Sequence, residues 1–172
     1  PEESDIEPLS VVPVASVDLR EGEAAALEWL AMLAQHPEVH VSAAVTPEIF
    51  SSLEDAPEVA AFLETEAPRE IARGPLFPVD EAQIAGAGLS LELEAILAAG
   101  DLEIAQTGRA APPTLWIDEG TANTRQLETL YARGVRDLML RADALASPLS
   151  VGPRQPVEVV AGDLLLRALV FD

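Results

Sequence analysis

Thr114-Leu115-Trp116-Ile117-Asp118-Glu119-Gly120, residues 121–133 with Leu127, Leu130 and Tyr131 at helical spacing, and then Gly134-Val135-Arg136-Asp137-Leu138-Met139-Leu140 form the stretch that decides the fold. The first apolar run stands behind Pro112-Pro113 and has the length of a strand. The helix that follows is closed by Gly134, where a left-handed residue ends the last turn. A second apolar run comes directly after it. Strand, helix, strand in this order is the crossover that joins parallel neighbours.

Working outward, the same alternation recurs. Residues 9–17 are apolar and rich in valine, as a strand buried on both faces would be. A helix over 22–35 carries Ala26, Leu27, Leu30, Leu33 and Ala34 on one side, and His36-Pro37 stops it. Residues 39–45 form a second strand, ending at Thr46-Pro47-Glu48. Short helices are expected at about 47–53 and 57–66. A third extended segment covers 70–79, where Pro75 and Pro78 argue for an edge or irregular strand. Asp80 can cap a short helix ending near Gly86, and a longer one runs from Leu91 to about Gln106, with Gly100-Asp101 as an expected break. At the far end, residues 157–160 and 164–170 read as a hairpin turning at Gly162-Asp163. The expectation is an α/β fold with parallel strands: a partial or distorted β/α barrel, or alternatively a flavodoxin-like layered sheet. It carries a C-terminal hairpin at about 157–170. Residues 1–8, acidic and bounded by prolines, read as the end of a linker left by processing, and 9–172 as one domain. On that reading the chain is a piece of something longer.

Composition narrows the partners. Apolar residues make up 49% of 172, enough to fold around a sizeable core. Thirty acids against ten bases, all arginine, give a formal charge of −20. Such a field repels phosphate backbones and anionic lipid, so no nucleic acid is expected as a partner. No apolar run reaches the roughly 20 residues of a membrane helix, so no direct membrane insertion is expected. The charge is uneven: 18 of the acids and 3 of the bases fall in residues 1–86. An acidic protein-interaction domain steering a basic partner would show that asymmetry. Without cysteine there are no disulfides, thiolate metal sites or cysteine nucleophiles, and without lysine no Schiff base.

Ligands of α/β folds gather at the carboxyl ends of the parallel strands. Asp18, Glu48, Asp80, Asp118 and Glu119 all fall at such ends, with Trp116 beside the last two. Carboxylates near an aromatic face suit a sugar site, the acids as general acid, base or hydroxyl acceptor and the ring as a stacking platform. Glu48, Asp118 and Glu119 are the candidate catalytic acids; Trp116 and Asp80 are the candidate binding residues. The same residues have structural uses: Trp116 can be a core residue, with Ile117 pointing the opposite way on the strand. Glu48 follows a proline at a helix start, where a carboxylate favours the dipole, and Asp118, Thr121 or Asp80 can cap the helix that follows. His36 and His40 flank Pro37 and do not stack one turn apart, so no metal and no cofactor are expected.

Val45-Thr46-Pro47-Glu48, Arg73-Gly74-Pro75-Leu76-Phe77-Pro78-Val79-Asp80, Thr114-Leu115-Trp116-Ile117-Asp118-Glu119-Gly120 and the 127–135 helix end together resemble barrels related to polysaccharide deacetylases and family-57 glycoside hydrolases. They look like the region of that kind carried by large exported actinobacterial proteins of unknown function. The resemblance covers about residues 9–146. It implies an extracellular or cell-envelope location, a relation to carbohydrate-active enzymes, and a cell-wall glycan or envelope protein as partner. Deacetylases of that class hold a metal with an Asp-Asp pair after the first strand and a His-x-x-x-His after a later one. Here Asp18 stands alone and the histidines precede the second strand, so the metal site does not carry over. The expected function is a non-catalytic or degenerate carbohydrate-enzyme-like domain acting as an envelope scaffold or binding module. A glycoside hydrolase using Glu48 with Asp118 or Glu119 is the enzymatic alternative.

Overall fold

The computed structural model describes residues 14–20, 22–39, 42–65, 70–109, 115–118, 122–141 and 156–171. The order is β1 (Val14–Val17), α1 (Glu23–Gln35), β2 (Ser42–Val45), α2 (Glu48–Ser52), α3 (Pro57–Glu64), β3 (Glu70–Ile71), α4 (Glu81–Gly86), α5 (Ser90–Gln106), β4 (Leu115–Asp118), α6 (Thr124–Ala132), β5 (Asp137–Arg141), β6 (Val157–Ala161) and β7 (Leu164–Phe171).

The first three strands pair in parallel, Val17 beside Val45 and Ala43 beside Ile71. Arg73, just past β3, makes a parallel bridge to Trp116, and β4 then pairs in parallel with β5, and β5 with β7. Up to β5 the strands lie side by side in chain order. A flavodoxin-like sheet instead reverses its order at a switch point, because its helices divide between two faces. The strands form a three-stranded sheet, β1-β2-β3, and a four-stranded one, β4-β5-β7-β6, linked through the Arg73–Trp116 bridge, and no closed barrel forms among the described residues.

The terminal hairpin is present, turning at Gly162, whose φ of 62° is the left-handed value glycine tolerates best. Its topology was not legible beforehand. β7, the second arm, is the one that joins β5, and β6 lies outside it, antiparallel to β7.

Three local expectations change. The third strand shrinks to two residues and one bridge, as the prolines and Gly74 deny the segment a continuous ladder. α5 runs unbroken through Gly100. α6 starts later than expected and is capped by Asn123, not by Asp118 or Thr121. The Asn123 side chain accepts from Gln126 N–H while the Gln126 side chain accepts from Asn123 N–H, a reciprocal box that satisfies two end donors.

Helices and one face of the strands enclose two apolar clusters. Val17, Val45 and Ile71 pack with Leu30, Ile49, Phe62 and Ile104. Trp116, Leu138, Leu140 and Leu166 pack with Leu93, Leu97, Leu127 and Leu130. α5 therefore spans both, giving Leu93 and Leu97 to one cluster and Ile104 to the other. Between them Gly100 meets the 74–76 backbone. A Cβ built there would lie 2.2 Å from the Gly74 carbonyl oxygen and 3.0 Å from Leu76 N. Leu76 N–H also donates to Ile96 O (3.2 Å), and Leu76 O accepts from Glu48 N–H (2.8 Å), so this segment is held between α5 and the start of α2.

Candidate functional site

A cleft of about 430 Å³ opens at the carboxyl ends of β1 to β4. That volume lies in the range of small-molecule sites, roughly 300–1,000 Å³. Its polar wall is made by Asp18, Arg20, Thr46, Asp80 and Glu81, and its floor by small side chains, Ala44 and Ala72 among them. The floor follows from strand alternation. Val45 and Ile71 turn into the apolar cluster under the helices, so their neighbours Ala44 and Ala72 face the other way.

Each acid in the cleft is held by a nearby donor. Asp18 accepts from Arg20 N–H at 2.8 Å and from the Arg20 guanidinium, with which it forms an ion pair. Burial alone would raise the Asp18 carboxyl, but the hydrogen bonds and charge of Arg20 outweigh it and hold the group below its ordinary value. Asp18 is thus kept ionised, which suits an acceptor and not a proton donor. Asp80 caps α4, accepting from Gln83 N–H at 2.8 Å. Glu81 accepts from Gln126 Nε2 at 3.1 Å, and Gln126 is itself buried and fixed by the Asn123 box.

The rim at Arg73-Gly74-Pro75 is anchored from behind. The Arg73 guanidinium donates to Asp101 of α5, through Nε at 2.7 Å and through Nη2, and Arg133 donates to the same carboxylate. The Asp101 hydrogen bond raises the Arg73 pKa; burial opposes it and the Asp101 charge adds to it. One acid between two cations, all three mostly covered, fixes α5, the α6 end and the rim together.

The structure brings together only part of the expected site. Asp80 lines the cleft, but through a cap that also has a structural use. Glu48 lies in the first turn of α2 and is not part of the lining. Asp118 ends β4 without its side chain being described, and Glu119 and His40 lie outside the described residues. Trp116 is 2% exposed in the second apolar cluster, while its neighbour Ile117 lines the cleft. A ring so covered has no face for a sugar. Alternation along β4 gives the cleft to the residue after it. Trp116 Nε1 has no hydrogen-bond partner among the described residues.

Sequence reasoning placed Glu81 and Arg20 near strand ends without a role in the site, and it missed the Arg73–Asp101–Arg133 anchor. Glu81 follows an expected cap, and Arg20 sits two residues past a strand-end acid, so both carried a faint local signal. Asp101 carried none, since its partners lie 28 and 32 residues away.

Among the described residues no helix is long and apolar enough to cross a membrane, and no group of three or more His, Asp or Glu side chains could hold a metal ion. No protein-family model, curated protein or solved structure matches the chain.

Proposed function

We propose that the chain is a non-catalytic, carbohydrate-enzyme-like binding module of the cell envelope, built on a partial β/α barrel and taking a neutral glycan in the cleft at its strand ends. The observation that carries this reading is the hydrogen bonding of the cleft acids. Asp18, Asp80 and Glu81 each accept a hydrogen bond from a fixed neighbour, which leaves them acceptors for ligand hydroxyls. Hydrolysis asks for something else: one carboxyl kept protonated and a second one facing it across the bond. Asp18 is shifted the wrong way for the first role, and Glu48 stands outside the lining. The −20 charge favours an uncharged sugar over an acidic one. Parallel strands that follow chain order up to β5 support the architecture, and the resemblance to deacetylase- and family-57-like barrels supports the envelope setting.

Titration calorimetry with neutral oligosaccharides of cell-wall type, chitotetraose first, tests the reading. Saturable binding without release of new reducing ends is expected, weakened about tenfold by Glu81→Gln through loss of one charged acceptor. Reducing ends that accumulate with time would establish the hydrolase alternative. Absence of binding across a broad glycan array would end the sugar reading.

A further inference from the structure

We propose that the outward face of α5 docks a basic amphipathic helix of another protein. This face shares no residue with the cleft. α5 is apolar on two opposite sides. Leu93, Leu97, Gly100 and Ile104 recur at intervals of four, three and four residues and are buried. Leu91, Ala95, Ala98, Leu102 and Ala105 recur at intervals of four, three, four and three, and all five are exposed. At about 100° per residue the two sets centre on opposite sides of the helix. A helix apolar all round is patterned for burial on both sides, and the described residues cover one. Leu91 at 79% and Leu102 at 63% exposure stand three turns apart, with alanines between them that let another backbone approach closely.

The alternation of fours and threes is that of a coiled-coil seam, so the occupant that fits is a helix and not an extended strand. Charge selects which helix. α5 carries Glu92, Glu94, Asp101 and Glu103 and no base. Asp101 is taken up by Arg73 and Arg133, while Glu92 and Glu94 are exposed and lie on either side of the seam. A second copy of this chain would bring the same acids against them, and like charges across a seam repel. A helix with leucines in its seam and lysine or arginine flanking it meets both features.

The test uses the full chain and two labelled peptides of equal composition: one of about three heptads with leucine in the seam and lysine on its flanks, the other scrambled. Fluorescence anisotropy should show the patterned peptide binding at least about tenfold more tightly, as burial of two exposed leucines implies. Leu91→Glu with Leu102→Glu should abolish that difference with an unchanged circular dichroism spectrum. Glu92→Lys with Glu94→Lys should shift preference towards a patterned peptide flanked by glutamate. Equal binding of the scrambled peptide, or undiminished binding by the leucine variant, overturns the proposal. So does light scattering that shows a dimer dissolved by that variant, since the occupant would then be a second copy.

Discussion

Gly100→Ala reverses the ordinary rule for helices. In an exposed helix interior, alanine is favoured over glycine by about 1 kcal/mol. At Gly100 the new methyl would meet the Gly74 carbonyl oxygen at 2.2 Å, Leu76 N at 3.0 Å and Pro75 C at 3.1 Å. All three are backbone atoms and cannot rotate away. Overpacking of this kind costs about 1–3 kcal/mol, and three backbone contacts put it at the upper end. Subtracting the propensity gain leaves a net loss of about 2 kcal/mol. For a chain of this size that lowers the melting temperature by about 4–8 °C. Urea unfolding is the assay, with Ala98→Gly on the exposed side of the same helix as control, where propensity alone predicts a loss of about 1 kcal/mol. Because Gly74 and Pro75 also line the cleft, chitotetraose affinity should fall in Gly100→Ala and hold in Ala98→Gly. A Gly100→Ala protein as stable as the parent, or more so, would refute the close approach of α5 to the rim.

Asp101→Asn should cost about 2 kcal/mol in urea unfolding, because Arg73 and Arg133 both lose a charged acceptor in a mostly covered site. Asp18→Asn should cost at most about 1 kcal/mol at neutral pH, since Arg20 is largely solvated. A lowered carboxyl pKa stabilises the fold above the unfolded value of about 3.9, and that contribution is lost as pH falls through the lowered value. The variant's acid-unfolding curve should therefore be shallower than the parent's below about pH 4, and superimposable curves would rule out the ion pair. Trp116→Phe should leave glycan affinity unchanged and cost less than about 2 kcal/mol, because the lost ring volume is offset by removal of a buried N–H that has no partner among the described residues. A marked loss of sugar binding in that variant would return Trp116 to the site.

Much of the fold was legible because it is written in local pattern. Apolar runs, the Gly134 stop, the Asp80 cap and the Gly162 turn each state a preference of a few adjacent residues, and the structure honours all four. Errors arose where neighbours distant in sequence decide. Gly100 looked like a helix breaker because its cost within the helix is visible, whereas its reason, the Gly74 backbone, lies 26 residues away. Trp116 could be read as platform or as core, and the core reading holds, because which face of β4 is covered depends on where α5 and α6 pack.

The chain by itself determined that strands and helices alternate, that the parallel strands require crossovers, and that the surface is strongly anionic. Those properties depend on residue type and on spacing of a few positions. Which acids meet in one cleft, which arm of the hairpin joins the sheet, and that α5 keeps an apolar side in solvent were decided only by tertiary packing. They depend on which distant segments share a boundary, and no local periodicity encodes that.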